Sequence, residues 1–277
     1  MQRLLVIGYG DLARRAALLL APCFTIAGVS RQAGFDLDQR STLTFGEADA
    51  LLHCAPPPPE GEHDSRTANL LAALDEQRAL PQRVVYVSTS GVYGDCRGER
   101  VAETRAPNPQ TARARRRADA ERQLEQWCAA RDVALLILRA PGIYAAERLP
   151  LERLHSRVPV LRREDDVYTS HIHADDLAAA VARALEADAP AGVYNAADDT
   201  ELLMGDWLDL VADHAGLPHP PRATRERIAE RVAPELPSFM QESRRLDNAR
   251  LKHVLGVRLR YPTVHEGLRH EHAIGIH

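Results

Sequence analysis

Gly8, Gly10 and Ala13 stand in a G-x-G-x-x-A spacing inside the stretch LLVIGYGDLA at 4–13. Two glycines so placed, between an apolar strand-like run and a helix-like run, suit the holding of a pyrophosphate. Gly8 makes the tight turn and Gly10 lets phosphate approach the backbone. Ala13 allows close packing of helix on strand, and the helix opening at Asp11 and Leu12 turns its positive end toward the charge. The reading is dinucleotide binding. A second apolar run, Phe24 to Val29, ends at Ser30 and Arg31, where recognition of a ribose 2′-hydroxyl would require Asp or Glu. A hydroxyl and a guanidinium suit a 2′-phosphate instead, so NADP(H) is expected in preference to NAD(H). Cys54, Ala55 and Pro56, where a third apolar run ends, complete the expected cofactor edge.

Other residues offer chemistry of their own. Ser88, Thr89 and Ser90 are consecutive hydroxyls at a strand end, where such groups also satisfy turn backbone. In TARARRRADAER (111–122), Arg113, Arg116 and Arg117 share a helix face. That face reads as a solvated exterior or as a stripe capturing cofactor phosphate or an acidic substrate. The run lacks aromatics that would stack on bases. By type, His171, His173, Asp175 and Asp176 suggest metal ligands, but they read more simply as a strand-to-helix join, and no metal is expected. Cys54 and Cys96 have no identifiable partner base. Lys252, the single lysine, lies in a polar helix-like segment, which argues against Schiff-base chemistry.

These groups must be positioned by alternating elements. Strands are expected at 3–8, 24–30, 50–55, 83–88 and 133–138, and helices at 11–21, 64–79 and 111–131. Alternation with near-continuous apolar strands predicts an α/β fold: a doubly wound parallel sheet (Rossmann) with a small C-terminal substrate lobe. A further strand is reduced to Leu43–Phe45. The expected organisation is a nucleotide-binding core over 1–145. A C-terminal part over 146–277 adds the final strands and the lobe within a single structural unit. In that part a helix is expected from His173 to Ala187 with Asp175 and Asp176 in its capping turn, a strand at Val193–Ala196, and helices at 204–215, 223–231 and 244–255.

A net charge of −4 gives no bulk attraction to nucleic acid. No run approaches a membrane span, and the first residues lack a signal pattern. Cys23, Cys54, Cys96 and Cys128 are far apart, as suits reduced thiols in the cytoplasm. The expected partner is a small-molecule substrate, and the chain is expected to be a monomer or a homodimer.

GYGDLA (8–13), STSGVYGD (88–95), LRAPGIY (138–144) and HIHADDLA (171–178), with GVYNAADD (192–199) and SRRLDNARLKHVLGV (243–257), resemble the extended short-chain dehydrogenase/reductases of the NAD-dependent epimerase/dehydratase type. The resemblance spans nearly the whole chain. It implies a nicotinamide cofactor and a carbonyl or nucleotide-sugar substrate. It also implies three catalytic groups: a Ser or Thr holding the reacting oxygen, a Tyr acid/base, and a Lys four residues on that binds ribose and lowers the Tyr pKa. On this pattern Thr89 takes the first position, and Pro109, Gln110 and Glu121 match the segment carrying the other two. The Tyr position holds Arg113 and the Lys position Arg117. A guanidinium can bind ribose but cannot cycle a proton near neutral pH. Tyr93, Tyr144 and Tyr168 are the remaining tyrosines near the expected pocket. The resemblance places Ser88, Pro141, Gly142 and Ile143 beside the nicotinamide. Two readings stay open: an enzyme with an altered dyad, and a non-catalytic NADP(H)-binding redox sensor or scaffold that engages a protein partner.

Overall fold

Apolar strands bounded by glycine and proline become the buried ribbons of one sheet in the computed structural model, which describes residues 1–31, 34–232 and 240–274. In chain order the first half contains β1 (Gln2–Ile7), α1 (Asp11–Leu20), β2 (Phe24–Val29), β3 (Ala50–His53), α2 (Ser65–Glu76), β4 (Arg83–Thr89), β5 (Arg100–Val101), α3 (Ala112–Ala129) and β6 (Ala134–Ala140). The second half adds β7 (Gly142–Tyr144), α4 (Leu151–His155), β8 (Val160–Leu161), β9 (Tyr168–Thr169), β10 (His171–His173), α5 (Ala174–Ala184) and β11 (Gly192–Asn195). Then come β12 (Leu202–Leu203), α6 (Met204–Ala215), β13 (Arg222–Ala223), α7 (Arg225–Val232), β14 (Arg245–Leu246), α8 (Ala249–His253) and α9 (Val264–Ile274).

Six strands form a parallel sheet in the order β11-β6-β4-β3-β1-β2. Alternate residues along each strand feed opposite faces. Leu4 and Val6 join Ala13 and Ala16 of α1 and Leu177 and Val181 of α5, while Leu5 and Ile7 join Leu70 and Leu74 of α2 and Leu124 and Trp127 of α3. Both faces are thus covered by helices, and the expected doubly wound fold is present. Side-chain caps fix two helix starts: Asp64 accepts from the amides of Arg66 and Thr67, and Thr111 from that of Ala114.

Three local expectations are corrected. Leu43–Phe45 is not a strand: Gln77, the residue that caps the end of α2, accepts from the Phe45 amide at 2.7 Å and donates to the Leu43 carbonyl at 2.6 Å. A side chain there supplies what a ladder would. The cap of α5 is His173, whose Nδ1 accepts from the Asp175 amide at 3.1 Å. Asp176 is drawn off to the amides of Arg260 and Tyr261, and Asp175 to Arg15. The helix expected over 244–255 is shorter, Ala249–His253, because residues Arg245–Leu246 pair with β5 instead.

A separate apolar cluster joins Tyr144, Leu154, Trp207, Val211 and Leu268, which forms the small lobe. It grows from the carboxyl end of β6, where β7 pairs in parallel with β10. Residues of the second half also return to the main core: Ile172, Tyr194, Leu251 and Leu255 pack in the cluster holding Leu4 and Val6. Among the described residues no helix is long and apolar enough to cross a membrane.

Candidate active site

The chain runs from β1 to β2 on one side and then crosses back to β3 on the other. This reversal opens a crevice at the carboxyl ends of β1 and β3, where doubly wound sheets bind ligands. Gly8 holds it. Its φ is +87°, and a Cβ there would lie 2.6 Å from the Ala55 backbone nitrogen, so only glycine lets the two strand ends approach. Gly10 differs, since a Cβ on it meets nothing within 4 Å. The space beside it is free for a ligand, next to first-turn amides of α1 that have no intrahelical acceptor.

A cleft of about 720 Å³ extends from this turn, and Gly8, Gly10, Ser30, Arg31, Cys54, Ala55 and Pro56 all line it. Arg14 and Arg66 line it too, which sequence reasoning did not anticipate. No carboxylate is in that lining among the described residues. Arg66 is fixed by Asp38, at 2.6 Å, and by the Pro56 and Pro57 carbonyls. Arg31 is exposed and lies 3.4 Å from Asp38, while Arg14 is exposed and unpaired among the described residues. Asp11 and Leu12, expected at the cofactor, do not line the cleft: the Asp11 carboxylate binds Arg15 and Arg148, and Leu12 enters the core. A pyrophosphate-bearing dinucleotide fits this cleft in shape and in charge.

A second cavity, of about 320 Å³, opens where β4 and β6 end, with Thr89, Pro141, Gly142 and Ile143 on one side. The lobe contributes Tyr168, His171, Trp207, Glu242 and Arg244 on the other. Thr89 Oγ1 accepts from the Gly91 amide at 3.2 Å. The His171 ring stacks on Trp207 with centroids 4.3 Å apart, and burial drives its pKa down to about 3, so it is neutral. Asn195 and Glu121 organise the framework behind. The Tyr93 hydroxyl donates to Asn195 Oδ1 at 2.8 Å, and Ser88 donates to Glu121. Glu121 also forms a buried ion pair with Arg139 at 2.6 Å.

A model of the NAD dependent epimerase/dehydratase family matches residues 63–197. A functionally unknown conserved protein from Silicibacter pomeroyi DSS is 31% identical, with 99% of each chain covered and a TM-score of 0.80. The chain belongs to the NAD-dependent epimerase/dehydratase family. The UDP-glucose 4-epimerase of Thermus thermophilus, solved with NAD, shares the fold at 21% identity, covering 99% of this chain and 100% of that one, with a TM-score of 0.75. RMD from Pseudomonas aeruginosa, solved with NADPH, does so at 21% identity and a TM-score of 0.74, covering 99% and 98%. A search of curated proteins found no match.

Within this epimerase/dehydratase scaffold the expected catalytic residues are not all gathered. Thr89 lines the substrate-side cavity. Arg117 stands between the ends of β3 and β4, donating to Tyr86 Oη at 2.9 Å, Val87 O at 3.1 Å and Ala55 O at 3.4 Å. Arg117 itself lines neither the cleft nor the cavity. Burial, with the Arg117 charge adding to it, holds His53 neutral at about 3, and burial lifts the Cys54 thiol to about 12 against Arg117. Neither titrates near neutral pH.

Arg113 is exposed and, among the described residues, makes no hydrogen bond or ion pair; it lines neither space. Tyr93 faces the framework, 1% exposed, and burial raises its phenol pKa. Ser88 turns the same way. The structure thus separates Arg113, Tyr93 and Ser88 from the cavity that Thr89, Pro141, Gly142 and Ile143 share. Trp207, Glu242 and Arg244 are lining residues that motif reading missed, while His171, which the sequence places at a strand-to-helix join, lines the cavity as well. Glu242 and Arg244 sit in irregular chain over 150 residues from Thr89, with no spacing signal to find them by.

Proposed function

We propose that the chain is an NADP(H)-dependent oxidoreductase or epimerase/dehydratase-like enzyme acting on a carbonyl compound or a nucleotide sugar, as a monomer or homodimer in the cytoplasm. One observation supports the cofactor most directly: among the described residues, three arginines, a serine and no carboxylate line the cleft beside the open side of Gly10. The nicotinamide supplies or accepts a hydride. The chain's own groups do the rest. First-turn amides of α1 hold pyrophosphate. Ser30, Arg31 and Arg14 hold a 2′-phosphate. Arg117 reaches the ribose, and Thr89 hydrogen-bonds the reacting oxygen. Tyr168, half-buried on the cavity wall, or a water carries the proton that Arg113 cannot.

Fluorescence titration of wild type and Arg31→Ala with NADPH and NADH tests the cofactor assignment. Tighter wild-type binding of NADPH, weakened selectively in the variant, is expected, and equal NADPH affinity in the two overturns the preference. A non-catalytic NADP(H) sensor or scaffold is the second reading, favoured by the exposed Arg113 and the Tyr93 hydroxyl committed to Asn195. Saturable NADPH binding without oxidation across carbonyl and nucleotide-sugar panels would select it.

A further inference from the structure

Two arginines face the substrate-side cavity, yet both charges are already met. Arg148 lies 3.0 Å from the Asp11 carboxylate, and Arg244 lies 2.7 Å from Glu242 while also donating to the Gly94 carbonyl at 2.8 Å. What remains is acceptor capacity. Glu242 is 9% exposed, and its Oε1 is buried with no hydrogen-bond partner. His171 Nδ1 is likewise buried without one, on a ring that is neutral. A buried carboxylate oxygen without a donor costs free energy that a ligand donor recovers. The opposite wall is the Trp207 and His171 ring stack with Tyr168 beside it, a surface suited to the C–H face of a small polyol. At about 320 Å³ the cavity lies at the small end of ligand sites.

We propose that this cavity takes a small, uncharged hydroxylated carbonyl compound, with Glu242 accepting from a substrate hydroxyl, and that it does not take a nucleoside-diphosphate sugar. Among the described residues, a diphosphate entering here would meet no unneutralised cation and would face a carboxylate. The proposal rests on the cofactor reading above and narrows its substrate class. Glu242 is a specificity-determining residue in this account; the hydride and proton steps remain those already described.

The test uses the full chain and begins by recording NADPH binding by fluorescence, which separates failure of the cofactor reading from failure of this one. NADPH oxidation is then followed with glyceraldehyde, dihydroxyacetone, erythrulose and glucose, and UDP-glucose binding to the NADP⁺-loaded protein is measured by calorimetry. Oxidation with at least one of the four and no heat from UDP-glucose is expected. Glu242→Gln should raise KM about tenfold or more, with kcat little changed and NADPH affinity unaltered. UDP-glucose binding, or NADPH binding with none of the four compounds oxidised, overturns the proposal whether or not the variant folds.

Discussion

Gly8 and Gly10 stand two residues apart and fail differently when given a side chain. Gly8→Ala forces a residue at φ +87° against the Ala55 backbone. The strain alone is about 1–3 kcal/mol, so its thermal midpoint falls clearly in a melting scan. Gly10→Val projects into open space at an extended backbone position and loses only cap preference, about 1 kcal/mol. It should stay folded by circular dichroism while NADPH affinity drops at least about tenfold. Asp198 gives a pH signature. Burial, opposed by the Thr200 amide, lifts its pKa from the usual 3.8 to about 8. The folded state therefore holds a proton that the unfolded chain releases, and stability falls as pH rises from about 4 to about 8, by up to about 1.4 kcal/mol per unit. Asp198→Asn should flatten that slope in urea titrations taken across the range; an unchanged slope refutes the assignment.

Strand ends carry the site, and the sequence made most of them legible. The apolar runs, the glycine spacing and the helix starts at Asp64 and Thr111 follow from local rules. What escaped local reading depends on long-range partners. Gln77, thirty-odd residues away, decided that Leu43–Phe45 needs no ladder. Asn195 decided which way Tyr93 faces, and β5 claimed Arg245–Leu246 from a helix. Glu242 and Arg244 became visible only when the lobe folded over β6. The Glu121–Arg139 pair ties α3 to β6 and, through Ser88, to β4. Removing one partner leaves a buried charge uncompensated, so Glu121→Ala should lose about 3–5 kcal/mol in denaturant unfolding. A loss within about 0.5 kcal/mol would show that the pair does not hold these elements together.

Over the whole molecule, the cleft opens at the ends of β1 and β3 and the second cavity at the ends of β4 and β6, while Arg117 donates to carbonyls at the ends of β3 and β4. An ion network also links α1, the start of α5 and the segment after β7. Arg15 joins Asp11, Glu147 and Asp175, and Arg148 reaches Asp11 while lining the cavity. The segment after β7 is therefore fastened to the first turns of α1, beside Gly10. Arg148→Ala should weaken substrate more than NADPH, read as a larger rise in KM than in the NADPH dissociation constant. Every step of this account requires a dinucleotide in the crevice between β1 and β3. Calorimetric titration of the purified chain with NADPH tests that most directly. Saturable binding, tighter than for NADH and lost in Gly10→Val, is the predicted result; absence of heat from either coenzyme at millimolar concentration would contradict it.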